Sequence, residues 1–255
     1  MRSRQGHLRL VPAMVLAGLC ASAPLICSMA PAWSVNASAT DSAVASTTPF
    51  IPRITENFMG YPRARLLNDG NIFGPWYVVF DGVERAPGVR LRHGLLRLSP
   101  QIAAKTGATN AALVISRQRF DDYALQLNAT WTTRLTTRVG TANPWETGWL
   151  AWDYLDNDHF TYLILKPNGW EIGRRDPSQR GGQRFIEDGD LPITPIGATR
   201  SAMVQRVGGD TTVWVDGQPL TSFTVPAGER RGAVGMYSED AVVDWTSITV
   251  ATAPA

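Results

Sequence analysis

The sequence predicts an all-β chain, a two-sheet antiparallel β-sandwich of jelly-roll type, and three observations carry that reading. Between residues 54 and 250 apolar residues recur with period 2, the spacing of strands with one buried face. Gly, Pro, Asn and Asp punctuate these runs, in a chain of 255 residues that holds 23 Gly and 17 Pro. No helical segment is interleaved with them, so the strands pair among themselves, in two packed sheets or, as the alternative, in an up-and-down barrel. Nine Trp, eight Phe and six Tyr supply the apolar surface of the core.

In chain order the predicted strands are 76–80 (WYVVF), 89–91, 95–98 (LLRL), 111–116 (AALVIS), 123–133 (YALQLNATWTT), 147–154 (TGWLAWDY), 159–166 (HFTYLILK), 170–174 (WEIGR), 202–207, 211–216 (TTVWVD), 220–225, 233–237 (AVGMY) and 242–250. Strand 123–133 alternates most clearly. Tyr123, Leu125, Leu127, Ala129 and Trp131 form its apolar face; Gln126, Asn128, Thr130 and Thr132, extended by Arg134, form a polar face able to line a concave sheet. Asn168-Gly169 and Asp216-Gly217 are two-residue hairpin signals, because a type I′ turn needs positive φ at both positions. Asp156-Asn157-Asp158 reads as a slightly longer turn. No internal repeat and no domain boundary interrupts 54–250.

The N-terminus reads as a targeting segment. Arg2, Arg4 and Arg9 precede the apolar stretch Leu10 to Ala21, and small residues suited to cleavage follow, ending at Ala37 or Ala39. We expect residues 1–39 to be a secretory signal, 40–53 a flexible leader, 54–250 the sandwich and 251–255 a tail, in a protein that is secreted, periplasmic or at the cell surface. Cleavage removes both cysteines, Cys20 and Cys27, which excludes a Cys nucleophile or a Cys-ligated metal from the body. A formal net charge of +2 excludes nucleic-acid binding driven by bulk charge.

Pairing the strands around their turns sets Lys166 opposite Glu171, Tyr154 against Phe160 and Trp152 against Tyr162. One face then carries Glu146, Leu150, Trp152, Tyr154, Phe160, Tyr162, Lys166, Glu171 and Arg175. The other carries Trp149, Ala151, Asp153, Leu163, Leu165, Ile172 and Arg174, and its more aliphatic character reads as core. Rings can stack on the C–H faces of sugars while acids and Arg bond the hydroxyls, so the first face is the candidate glycan site. Glu171 and Glu146 form the candidate catalytic pair, since two carboxylates flanking a glycosidic bond can hydrolyse it. A Ser/His/Asp site is poorly supported: no Ser lies in a G-x-S-x-G elbow, and beyond the leader only His93 and His159 remain. No cofactor is required. Asp244, inside an otherwise apolar last strand, with Glu56, Asp69 and Asp81 near the first ones, is a candidate ligand for a structural calcium tying the chain ends.

Trp145-Glu-Thr-Gly-Trp149 through Asp153, Asp156-Asn-Asp-His-Phe160 and Asn168-Gly-Trp-Glu-Ile172 resemble the central strands of the concanavalin A-like lectin/glucanase superfamily. Within it the chain looks most like secreted family 16-like, 3-keto-disaccharide hydrolase-type and LamG-like domains. Val213-Trp-Val-Asp-Gly217, Gly232-x-Val-Gly-x-Tyr237 and Val243-Asp-Trp245 resemble the closing strands of those sandwiches. The resemblance spans about 54–250 and implies the fold. The E-x-D-x-x-E strand of laminarinase-type hydrolases is absent, which argues against their retaining chemistry, whereas Gly169-Trp170-Glu171 matches a recurrent Gly-x-Glu strand and marks Glu171.

Three functions are therefore on the table. The first is an exported module that binds a polysaccharide or glycan through Trp152, Tyr154, Tyr162 and Arg175, with Gln126, Asn128 and Arg134 as further polar contacts. The second is a glycoside hydrolase on the same face. The third is a structural envelope or protein-interaction module, which predicts a packed aromatic face without a cleft.

Overall fold

The computed structural model describes residues 50–82, 88–103, 109–134 and 143–253. Seventeen strands account for nearly all regular structure: β1 (Ile51–Glu56), β2 (Arg65–Leu67), β3 (Ile72–Phe73), β4 (Trp76–Phe80), β5 (Val89–Arg92), β6 (Leu95–Leu98), β7 (Ala111–Ser116), β8 (Tyr123–Arg134), β9 (Gly148–Asp156), β10 (His159–Lys166), β11 (Gly169–Arg175), β12 (Gln183–Gly189), β13 (Thr199–Val207), β14 (Asp210–Val215), β15 (Gln218–Thr224), β16 (Ala233–Glu239) and β17 (Ala241–Thr252). One 3₁₀ turn, Ala227–Glu229, follows β15. Among the described residues no helix is long and apolar enough to cross a membrane.

All pairings are antiparallel and form two sheets. The first runs β15-β14-β13-β8-β17-β6-β5-β2, with β1 also on β17; the second runs β12-β11-β10-β9-β16-β7-β4-β3. The expected sandwich is therefore the observed fold. The expected signal segment lies outside the described residues. Strand β1 begins at Ile51, inside the stretch read as a leader, and pairs along β17 from Thr252 to Ile248.

The apolar face predicted for β8 lies in the core: Tyr123, Leu125, Leu127, Ala129 and Trp131 pack with Leu150, Trp152, Leu163, Ile172, Val204 and Trp245 between the sheets. Its polar face points outward from the first sheet, where Asn128 donates to Ser247 at 2.7 Å and Thr130 bonds Thr199 at 2.7 Å. At the β14–β15 hairpin Asp216 (φ 51°) and Gly217 (φ 78°) take the positive φ values expected of them.

One buried charge pair joins the two sheets. Asp153 of β9 and Arg206 of β13 are both fully buried; Arg206 Nη1 donates to both carboxylate oxygens at 2.5 Å. The same guanidinium donates from Nε to the Asp121 carbonyl at 2.7 Å and lies 4.8 Å over the Tyr123 ring.

Both strands on the open side of the sandwich, β12 and β15, carry a bulge. Residue Ile186 is extra in β12 against β11, and Leu220 is extra in β15 against β14. Each turns an aliphatic side chain toward the core, where Phe223 joins them.

Candidate functional site

The register of the β9–β10–β11 unit decides which residues share a face. The turn after β10 is centred on Pro167-Asn168 rather than Asn168-Gly169, because Lys166 pairs with Gly169. Pro presets the φ of the first central turn position, which explains the preference. Ile164 thus opposes Glu171 instead of Lys166 opposing it. The shift is even, so every side chain of β10 and β11 keeps the face expected for it.

On β9 the outcome is different. Thr161 pairs with Trp152 and Tyr162 with Ala151, one residue out of the expected register. The cause is the irregularity where Asp153, Tyr154 and Leu155 stand against Phe160 alone: Asp153 adopts φ 52° and sets Trp152 and Tyr154 on opposite faces. Trp152 is therefore fully buried between the sheets, and Trp149, expected in the core, lies on the outer face.

The outer face of the second sheet carries a separate apolar cluster of Leu113, Trp149, Ala151, Tyr154, Phe160, Tyr162, Ile164, Ala233 and Tyr237. Trp149 sits at its centre, 4.8 Å from Tyr162 and 4.7 Å from Tyr237 between ring centroids. Its indole donates to the Trp145 carbonyl at 2.8 Å. Tyr162 is fully buried and Trp149 is 4 % exposed, so these rings form a floor instead of an open stacking platform. Gly173 makes room for this floor: a Cβ there would stand 2.2 Å from Tyr162 Oη.

Polar side chains lie on the floor in two groups. In the first, Tyr162 Oη donates to Glu171 Oε1 at 3.2 Å and accepts from Gln183 Nε2 at 3.0 Å. Lys166 Nζ donates to Glu171 Oε2 at 3.0 Å. Arg175 sits at the end of β11, 3.7 Å from Asp158. Burial, followed by the charge and hydrogen bond of Glu171, pushes the Tyr162 hydroxyl far above the usual phenol range. The second group is Tyr237, Glu239, Glu146 and Asp240. Tyr237 Oη donates to Glu239 Oε2 at 2.8 Å, and Asn143 Nδ2 donates to Glu146 Oε1 at 2.7 Å. Burial pushes the Glu239 carboxyl up to about 8, aided by the charges of Asp240 and Glu146, although the Tyr237 hydroxyl acts in the opposite direction. Asp240 is held at about 6, chiefly by burial.

Of the expected site residues, Tyr154, Tyr162, Glu171 and Arg175 share this face, and Glu146 lies in the turn entering β9 beside Glu239. Gln126 and Asn128 do not join them: they lie on the outer face of the other sheet. The Arg134 side chain lies outside the described residues. Glu239 and Tyr237 escaped the sequence reading, although period 2 through Gly235, Tyr237 and Glu239 was the signal that could have found them.

Asp244 does not suit a cation. Arg97 donates to both of its carboxylate oxygens at 2.6 Å, so its charge is already matched across β6 and β17. Asp69 accepts from the Asp81 backbone at 2.7 Å, and Glu56 accepts from Phe58 and Tyr61. Among the described residues no three acids, histidines or cysteines are grouped to hold a metal ion. Chelation with EDTA is accordingly expected to leave the melting temperature unmoved; a clear fall would restore the calcium assignment.

No protein-family model matches the chain, and no curated protein matches it by sequence. Solved structures do resemble it. One comes from work on endo-acting O-glycanases that prominent members of the human gut microbiota express to initiate mucin breakdown; it is 12 % identical, with a TM-score of 0.50 over 80 % of this chain and 100 % of that one. The Ca²⁺-bound exoplasmic/lumenal domain of VIP36 is 13 % identical, with a TM-score of 0.49 over 79 % and 93 %. The carbohydrate-binding module CBM66 from Bacillus subtilis is 12 % identical, with a TM-score of 0.46 over 62 % and 96 %. At such identities the likeness is one of fold alone, and it rests on the first of these, whose TM-score reaches 0.50.

Proposed function

We propose that this protein is an exported carbohydrate-binding β-sandwich of the concanavalin A-like type that takes a glycan on the outer face of its second sheet. The observation that carries the reading is the array of Glu171, Lys166, Gln183 and the Tyr162 hydroxyl, hydrogen-bonded to one another above a rigid aromatic floor, with Arg175 on the same face. The carboxylate of Glu171, the ammonium of Lys166 and the amide of Gln183 offer both donors and acceptors to sugar hydroxyls, while the buried Tyr162 hydroxyl holds Glu171 and Gln183 in place. Their rotamers are fixed by the bonds between them, so little ordering remains to be done on binding. The face differs from the stacking surface read from the sequence, because its contacts are polar groups over a floor.

One observation favours a second reading, a glycoside hydrolase. Glu239 keeps its proton at neutral pH and lies beside the Glu146 and Asp240 charges. A protonated carboxyl close to ionised ones is the arrangement that acid–base cleavage of a glycosidic bond needs. In that case Glu239 is the proton-holding acid, while Glu171 is ion-paired with Lys166.

The test incubates the full chain with a panel of soluble polysaccharides and follows depletion and new reducing ends together. Binding without turnover, weakened at least about tenfold in Glu171→Gln, is the expected result. New reducing ends that vanish in Glu239→Gln would establish the hydrolase instead. Neither signal would leave the packed aromatic face as a structural or protein-interaction surface.

A further inference from the structure

A cavity of about 280 Å³ opens on the side of the sandwich, between β12 and the turn that follows β15. It lies away from the outer-face array, and what it binds is independent of the glycan reading above. Its apolar wall consists of Phe185, Ile186, Phe223, Val225 and Pro226; its polar wall consists of Thr161, Arg184 and Glu229. The two edge bulges shape it, since they tuck Ile186 and Leu220 inward and leave the Phe185 ring half-exposed at the mouth.

The polar wall is rich in donors. Glu229 accepts from Arg184 through both oxygens and faces Arg174 Nε at 3.3 Å. Arg174, only 4 % exposed, donates from Nη1 to the buried Thr161 hydroxyl at 3.1 Å. Two guanidinium groups thus share one carboxylate, with most of their N–H groups left over. Asp176, which also feels the charge of Arg184, has its carboxylate held by the Ser178 backbone and hydroxyl.

We infer that this cavity binds a sugar residue bearing a carboxylate, a uronate, with its C–H face against Phe185 and Phe223 and its carboxylate on Arg184. Charge and shape both enter the argument. A partly exposed guanidinium, Arg184, backed by the buried Arg174 and sharing one carboxylate with it, favours an anion with paired oxygens. An aromatic wall opposite it favours a ligand with one apolar face, and the space suits one sugar ring.

The test titrates the labelled full chain with sodium glucuronate, glucose and sodium acetate at low salt, following amide chemical shifts. Glucuronate is expected to shift the Phe185, Ile186, Phe223 and Glu229 amides saturably, and to bind at least about tenfold more tightly than glucose or acetate. Arg184→Gln should weaken glucuronate about tenfold or more. Phe185→Ala, at a half-exposed position that the fold does not depend on, should weaken it in a chain whose melting is unchanged. Acetate binding as well as glucuronate would reduce the cavity to an ion site and overturn the inference. Glucose binding as well would overturn the role of charge, and no shift at all would overturn the site. Polysaccharide capture is read separately, so its failure would fall on the outer face alone.

Discussion

Arg206→Met is expected to be the most destabilising single substitution in the sandwich. Methionine approximates the length of the arginine stem but removes the guanidinium, leaving the Asp153 carboxylate in the core without its partner. Breaking a buried pair from one side costs about 3–5 kcal/mol. That is a large share of the roughly 5–15 kcal/mol that holds a domain together. For a body of this size the melting temperature should fall by about 10 °C or more. The Asp121 carbonyl loses its Arg206 donors as well. Adding Asp153→Asn should recover most of the loss, because the charge disappears while Asn still tolerates the φ of 52° at that position. Thermal melts of the two variants decide the matter: equal stability of Arg206→Met and the parent would show that the pair does not staple the sheets.

The second large effect is one of pH. Glu239 has its carboxyl raised to about 8, mainly by burial, and Asp240 and Asp153 are raised to about 6, again mainly by burial. Each group binds its proton more tightly folded than unfolded. Their contributions to stability are complete below the ordinary carboxylate range and are lost as pH rises through the folded values. The melting temperature should therefore decline from about pH 5 to pH 9, with the upper part of the decline belonging to Glu239. Glu239→Gln keeps an oxygen to accept from Tyr237 and removes the titration, so the variant should overtake the parent above pH 8. Parallel melting curves for the two proteins would show that another group governs the alkaline limb.

What the sequence disclosed, and what it hid, follows from local chemistry. Strands with a clean period of 2, such as β8 and β14, were legible in both position and face. The missed strands are short or lie at the margins: β3 has two residues, β1 contains Pro52, and β12 (QRFIEDG) is an edge strand rich in charge. Within β9–β11 the face assignment failed at a single residue, whereas Gln126 and Asn128 were placed on the wrong sheet because the sequence does not show which sheet β8 joins. A left-handed Asp153 is invisible to a parity count, yet it moves Trp152 into the core and Trp149 onto the face. Glu171, Tyr162 and Arg175 survived because the misplaced turn after β10 shifted their pairing by an even step.

The two bulges on the open side have a consequence for the protein's behaviour in a crowded solution. A flat, regular edge strand is a template: its free N–H and C=O groups can recruit a strand from a neighbouring molecule and start a fibre. In β12 the extra Ile186 breaks the alternation, so Arg184 and Asp188 point to opposite faces and cannot meet across a two-fold strand pair. In β15 Leu220 has the same effect, and Pro219 removes a donor from the row. The geometry that shapes the lateral cavity thus also denies incoming chains a place to add, and guards the sandwich against edge-to-edge aggregation.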